Sequence, residues 1–143
     1  MIPPIRWPAE WESHSATWIA WPHHEPDWPG KFEPIPWVYA EIVRALAPHE
    51  RVEILCHSDA VRADAQRCLD AHGVPSIRYR LHDCPTDRVW LRASAPPGAL
   101  TANGDVAPGH WGCSAGAREG HVAWDAAGGQ RRARVERLER GRT

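Results

Sequence analysis

The apolar positions between residues 16 and 83 alternate between short strand-like runs and longer helix-like stripes. Strands are predicted at "ATWIAW" (16–21), "RVEILCH" (51–57) and "SIRYRLH" (76–82), because each is a short apolar or β-branched run beside turn residues. Helices are predicted over 37–49 and 58–73, where apolar residues recur every three to four positions. This alternation is typical of an α/β fold.

Both predicted helices carry boundary signals and an apolar stripe. Pro36 precedes the first helix and Pro48 stops it, whereas Ser58 caps the second and Gly73 ends it. Each helix is therefore predicted to lie with one face against the core. The core-facing residues are predicted to be Trp37, Ile42, Val43 and Leu46 in the first helix, and Val61, Ala65, Cys68, Leu69 and His72 in the second.

Two further segments follow the third strand. The stretch "DRVWLRAS" (87–94) is predicted to be another strand, with alternate residues facing the core. Val89 and Leu91 would then be buried, while Trp90 and Arg92 would lie on the other face. In "GALTANGDVA" (98–107), the Asn103–Gly104 pair favours a tight hairpin turn.

The character of the sequence changes after Val106. Residues 107–143 are rich in glycine and arginine without an apolar period, so we predict a domain over 1–106 and a poorly packed tail over 107–143. Lys31 is the only lysine, which suggests a GC-rich coding bias under which a shifted reading frame could generate such a tail. Translating the other two frames past the Val106 codon tests that hypothesis, which fails if neither frame has apolar periodicity.

Composition and charge narrow the function classes. The net charge of −1 leaves no broad basic surface for nucleic acid, and no apolar run reaches the roughly 18 residues that a membrane span needs. The N-terminus lacks a basic leader followed by an apolar segment, so we expect a cytoplasmic protein. The four cysteines contain no Cys-x-x-Cys pair, which favours reduced thiols over disulfides or structural zinc.

The histidines and cysteines suggest two further candidate sites, a metal site and a reactive thiol. The His23–His24 and Cys56–His57 pairs could belong to a metal-binding module, although their spacing favours histidines bonded at the surface or at strand edges. Equilibrium dialysis against zinc distinguishes these two roles. Cys113 lies in a small-residue turn, and we interpret it as an incidental thiol because no packed scaffold or neighbouring acid is predicted around it.

Three segments in this order resemble one enzyme family. They are "PAEWESHSATWIAWPH", "DWPGKFEPIPWVYAEIVRALAPHERVEIL" and "PTDRVWLRAS". Together they look like the N-terminal part of the agmatine deiminases and bacterial-type peptidyl-arginine deiminases. The resemblance runs from Pro8 to about Val106. It implies a pentein-like α/β propeller of five blades, of which this chain would supply the first one or two.

The same resemblance implies guanidine hydrolysis. A cysteine thiolate attacks the guanidinium carbon, ammonia leaves, and water releases a ureido product, which is N-carbamoylputrescine when agmatine is the substrate. Carboxylates hold the planar cation through paired hydrogen bonds, and a histidine moves protons. The implied partner is a small guanidino substrate, agmatine or arginine, on a route to putrescine. No metal or organic cofactor is implied, and neither nucleic acid nor membrane is an expected partner.

One motif departs from the family pattern. In similar proteins the tryptophan is followed by Arg-Asp, and that aspartate holds the substrate guanidinium. The matching positions here are Trp90, Arg92 and Ala93, so the acid is replaced by alanine. The resemblance makes Asp87, Trp90 and Arg92 the expected substrate-binding residues. A straight strand would place Trp90 and Ala93 on opposite faces, so a shared pocket requires a bend near Arg92.

Two hypotheses follow for the chain itself. It could be a truncated hydrolase of weak or no activity, because the acid is replaced and the family's nucleophile and proton-transferring histidine have no matching motif. Alternatively, it could be a non-catalytic fragment or pseudoenzyme that associates with a partner or with itself through exposed apolar surface. The sequence does not distinguish agmatine from arginine or peptidyl-arginine as the substrate of its relatives.

Overall fold

The computed structural model describes residues 6–94, 98–103 and 106–108. These residues fall into two compact units. One unit is His14–Arg92, and the other contains the described residues before 14 and after 92. None of the helices in the described part of the chain combines the length and apolarity that crossing a bilayer requires.

A three-stranded parallel sheet organises the unit His14–Arg92. Its strands are β1 (Ala16–Ala20), β2 (Arg51–Cys56) and β3 (Tyr79–Asp83), in the order β1-β2-β3. The β1 register pairs Ala16 with Arg51, and the β3 register pairs Tyr79 with Val52. Parallel neighbours need crossover connections, and the two helices supply them. The three predicted strands and the α/β class are therefore confirmed.

The two helices pack on one face of this sheet. They are α1 (Ile35–Leu46) and α2 (Asp59–Ala71). Alternate residues of β2 (Val52, Ile54, Cys56) share a buried core with residues of both helices. The Ser58 side chain accepts a hydrogen bond from the Val61 amide at the start of α2, and Gly73 follows its end with φ +65°. Both predicted boundary signals of α2 are confirmed.

The predicted buried stripe is correct for α2 and partly wrong for α1. Ala65 and Leu69 are fully buried in α2, as expected. In α1 the fully buried residues are Ala40 and Val43, whereas Trp37 and Ile42 are exposed. Tyr39 and Leu46 pack, partly buried, against the same core, so the inward face of α1 is rotated away from Trp37 and Ile42. Trp37 instead packs edge-on against the His72 ring.

The predicted strand over 87–94 is wrong. Residues 84–90 form an irregular loop, and a short helix, α3 (Leu91–Ser94), begins directly after Trp90. Val89 and Leu91 are nevertheless buried and Trp90 is exposed, as alternation predicted. A loop here shows the alternating burial of a strand, although no described residue pairs with it as a neighbouring strand.

The second unit contains an antiparallel hairpin. Its strands are β4 (Gly98–Leu100) and β5 (Val106–Pro108), so the predicted hairpin is confirmed. The Asn103–Gly104 turn includes Gly104, which lies outside the described residues, as does the tail beyond Pro108. Arg6 extends the pairing through two backbone hydrogen bonds of 2.8 Å to Leu100.

Candidate functional site

The loops that follow the three parallel strands meet at one edge of the sheet. His23 lies in the loop after β1, His57 directly follows β2, and residues 84–90 follow β3. The carboxyl ends of parallel strands form the edge at which open α/β sheets bind ligands. This edge is therefore the candidate site.

Two histidines hold the loop after β3. The rings of His23 and His57 are stacked, and both approach the Thr86 carbonyl oxygen, at 3.0 Å from His23 Nε2 and 2.8 Å from His57 Nδ1. His57 Nδ1 also lies 3.2 Å from the Thr86 amide, so its tautomer decides which backbone group it bonds. Thr86 is 1% exposed, and within the described residues its hydroxyl has no hydrogen-bond partner.

A buried ion pair fastens the same loop at a second point. The Asp27 carboxylate, 3% exposed, pairs through Oδ1 with the Arg88 guanidinium, which is 20% exposed. Among the described residues Asp27 Oδ2 has no hydrogen-bond partner. His24 Nδ1 lies 3.3 Å from Oδ1 but lacks the geometry of a hydrogen bond. Burial, and then the charge of Asp27, raise the pKa of Tyr39.

Aromatic rings flank this ion pair in the sequence and meet in space. The Trp28 ring centroid lies 6.3 Å from that of Trp90 and 5.8 Å from that of Phe32. Trp90 is 55% exposed, so part of its ring faces solvent. Indole faces attract cations, and a planar cation such as guanidinium suits them well.

The predicted site residues lie together on the segment leading into α3. Asp87 is half-buried in the loop, Trp90 closes the loop, and Arg92 is an exposed residue of α3. The chain becomes helical at Leu91, next to Arg92, where a shared pocket for Trp90 and Ala93 was predicted to require a bend. Ala93 is the third residue of this helix. The structure brings Trp90 to Trp28, a contact that the pattern did not predict.

Several residues of the site escaped prediction from the sequence. His23 and Thr86 are 63 positions apart, and Asp27 and Arg88 are 61 apart, so no local pattern links them. One signal was available, since His23 and His57 both follow the carboxyl ends of predicted strands. Their ring nitrogens lie against backbone groups, which agrees with the interpretation of bonded strand-edge histidines.

Two of the described cysteines are poor nucleophiles. Within the described part of the chain, Cys56, Cys68 and Cys84 form no disulfide bond. Burial raises the pKa of Cys56 to about 12, and burial also raises the pKa of Cys68 above its usual value. Because the thiolate is the reactive form, neither of these two is suited to attack a guanidinium carbon. Cys113 lies outside the described residues, so its interpretation stays a prediction.

A second buried polar cluster lies elsewhere on the sheet. Glu53, on the central strand, is 1% exposed and accepts hydrogen bonds from Arg51 and from His82 Nε2, the latter at 2.6 Å. The Trp18 ring stacks on His82 with centroids 5.2 Å apart. Burial opposes ionisation of Glu53, but the two hydrogen bonds outweigh it, and the pKa of Glu53 lies below its usual value.

Comparison with known proteins identifies relatives of this chain. The family model of the Porphyromonas-type peptidyl-arginine deiminases matches residues 6–136. The agmatine deiminase of Pseudomonas aeruginosa is 31% identical over 111 residues, which cover 78% of this chain and 28% of the relative. That of Ectopseudomonas mendocina is 30% identical over 118 residues, covering 82% of this chain and 30% of the relative.

A solved structure shares the architecture. The C. jejuni agmatine deiminase superposes with a TM-score of 0.71 at 18% identity, over 89% of this chain and 36% of that one. At this identity the likeness concerns the fold. The chain thus spans about 30% of the length of the curated relatives it matches. By its sequence, the chain belongs to the Porphyromonas-type peptidyl-arginine deiminase family and corresponds to the N-terminal part of the agmatine deiminases.

Proposed function

We propose that the chain descends from a guanidine hydrolase and retains one wall of its substrate pocket without retaining efficient catalysis. The observation that carries this proposal is Trp90, a partly exposed indole beside Trp28, on a loop that two histidines and an ion pair hold at the sheet edge. The relatives are named for deimination of agmatine. A small guanidino compound, agmatine or arginine, is therefore the proposed substrate class.

The family's substrate-binding aspartate is replaced by alanine at position 93. A guanidinium ion is a resonance-stabilised cation and a poor electrophile, so hydrolysis requires carboxylates that orient it and a thiolate that attacks it. Removing one partner of a desolvated ion pair costs about 3–5 kcal/mol, or roughly two to four decades in binding or rate. Alanine at position 93, together with the unreactive thiol of Cys56, predicts weak binding and little turnover.

The expected products, pathway, architecture and domain boundaries are part of the same proposal. The ureido product and ammonia would be the products, and putrescine formation would be the pathway served by relatives with the complete site. A five-bladed propeller, with this chain as its first one or two blades, is the architecture that such a site would need. The domain over 1–106 and the atypical tail after it belong to this proposal as well.

An assay of ureido product on the purified chain tests the catalytic part. With agmatine as substrate, we expect no product above a buffer blank. Product formed at a rate that scales with protein concentration would overturn this expectation. Ala93→Asp is the matched gain-of-function variant. Agmatine should bind to it at least about tenfold more tightly than to the wild-type chain. Ala93→Asn, of similar size but uncharged, is its control.

An exposed apolar strip on α1 favours a second, non-catalytic function. Trp37 is 58% exposed, and Val38 and Ile42, one turn apart, are each 41% exposed. Such a strip on a helix is typical of an association surface, and we propose that a second copy of the chain covers it. This gives the self-association that the sequence allows a specific location.

The oligomeric state tests this association. We expect the wild-type chain to elute as an oligomer from a sizing column and Ile42→Glu to elute as a monomer. Ile77→Glu is the matched control, because Ile77 is an exposed isoleucine, at 84%, outside α1. A compact wild-type monomer at high concentration would contradict the proposal.

A further inference from the structure

The buried carboxylate of Asp27 forms an ion pair with the guanidinium ion of Arg88 from the same chain. Arg88 carries the same planar headgroup as the proposed substrates. We propose that Asp27 receives a small guanidino ligand from solution when Arg88 withdraws, so that Arg88 acts as an internal competitor. This inference rests on the proposed function, because it concerns the same class of ligand.

The geometry of Asp27 suits a forked donor. Within the described residues its Oδ1 pairs with Arg88 and its Oδ2 has no hydrogen-bond partner. A guanidinium ion presents parallel N–H groups that can satisfy both oxygens of one carboxylate. The contact through Oδ1 alone leaves half of that capacity unused. A ligand free to rotate could use both oxygens, whereas Arg88 is restrained by its backbone.

Burial makes this carboxylate selective for a strong partner. At 3% exposure, water competes little for Asp27, and charge-assisted hydrogen bonds gain strength in such surroundings. An unpaired carboxylate is costly there, so Asp27 must hold a cation.

Neighbouring features make the exchange feasible. Arg88 is 20% exposed, so its headgroup lies near solvent and can be replaced from outside. Trp28 directly follows Asp27 in the sequence, and its ring meets that of Trp90. These indoles offer planar faces on which a second guanidinium could stack. The Asp27 carboxylate and the two indoles together have the composition of a binding site for a planar cation. An ion pair that only holds a loop in place would not need the indoles.

Replacement of Arg88 tests the inference on the full chain. Arg88→Met removes the guanidinium while keeping an apolar stem. Agmatine and methylguanidine should bind to this variant at least about tenfold more tightly than to the wild type, measured by tryptophan fluorescence titration. They should also raise its melting temperature. The diamine 1,4-diaminobutane, which lacks a guanidine group, should do neither. Adding Asp27→Asn to Arg88→Met should abolish the gain.

A purely structural ion pair predicts a different result. Arg88→Met would then melt at a lower temperature and show no gain in guanidinium binding, which would overturn the inference. Arg88→Lys covers the case in which Arg88→Met does not fold. It keeps the charge on an ammonium, which is more strongly hydrated than a guanidinium and leaves a buried carboxylate more readily, so agmatine should bind to it more tightly than to the wild type. Equal binding to Arg88→Lys and to wild type would overturn the inference as well.

The Ala93→Asp variant separates this inference from the proposed function. If agmatine binds to Ala93→Asp but no more tightly to the Arg88 variants than to wild type, the guanidino function stands and the role of Asp27 falls. If no variant binds agmatine, both fall. If the Arg88 variants bind agmatine more tightly and Asp27→Asn removes this gain, the role of Asp27 as a guanidinium site is supported. This holds whatever the result at position 93.

Discussion

His23 and His57 stack face to face, with ring centroids 4.5 Å apart and ring planes inclined by 13°. They come from the ends of different strands and converge on the carbonyl oxygen of Thr86. Through this contact, three loops at the carboxyl edge of the sheet are tied to one backbone group. The loop that carries Trp90 is consequently fixed at its start by hydrogen bonds and further along by the Asp27–Arg88 pair.

Removal of the His57 ring should loosen this loop. His57→Ala removes one hydrogen bond to the buried backbone of Thr86, whose carbonyl oxygen keeps its contact with His23, and the loss of one such bond typically costs about 0.5–1.5 kcal/mol. Urea unfolding should show the loss, and hydrogen exchange should speed up around Thr86. His49→Ala, at an exposed position, is the control and should change stability little. Equal stability of the two variants would contradict the role of His57.

The Cys56 thiol should resist alkylation in the folded chain. With a pKa of about 12, only about one molecule in ten thousand carries a thiolate at about pH 8. Burial also blocks access. Incubation with iodoacetamide followed by peptide mass spectrometry should leave Cys56 unmodified in the native chain and modified after denaturation. Labelling of native Cys56 at the rate of a free thiol would contradict this expectation.

Glu53 should make the stability of the chain depend on pH. Its folded-state pKa lies below the ordinary glutamate value, so the carboxylate stabilises the fold at neutral pH. As the pH falls below about 4.3, the unfolded chain takes up the proton first and stability declines. Urea unfolding from about pH 6 down to about pH 3 should show this decline.

Two substitutions identify the carboxylate responsible. Glu53→Gln should lower stability at neutral pH and flatten the decline, because the neutral side chain no longer holds Arg51 and His82 by charge. Glu33→Gln, at an exposed position, should leave the decline in place. A Glu53→Gln profile as steep as that of the wild type would assign the pH dependence to other groups.

The capping hydrogen bond at Ser58 should be measurable. Ser58→Ala removes the acceptor for the Val61 amide and should destabilise the fold by about 1 kcal/mol. Ser58→Asp keeps an acceptor and adds favourable charge at the helix start, so it should restore most of the loss. Thermal unfolding of both variants measures the difference. An Ala variant as stable as the wild type would show that the cap contributes little.

The strand–helix alternation of the unit His14–Arg92 could be predicted from the sequence. Periodicity, β-branched content and the signals at Ser58 and Gly73 are local, and local geometry determines them. The family motif likewise predicts Asp87, Trp90 and Arg92 as site residues, and this stays a prediction. The sequence could not show that residues 87–90 form a loop and not a strand. Val89 and Leu91 are buried in alternation with exposed Trp90, as they would be in a strand.

Only the tertiary structure decided which face of α1 is buried and which polar groups meet at the sheet edge. Ala40 is fully buried and Trp37 is exposed, because packing against residues distant in the chain decides which side of an amphipathic helix turns inward. The meeting of Asp27 with Arg88 depends on parallel strand order, which brings distant loops to one edge. Local sequence determines the elements, but long-range pairing decides their neighbours, since contacts across about sixty residues leave no periodic trace in the chain.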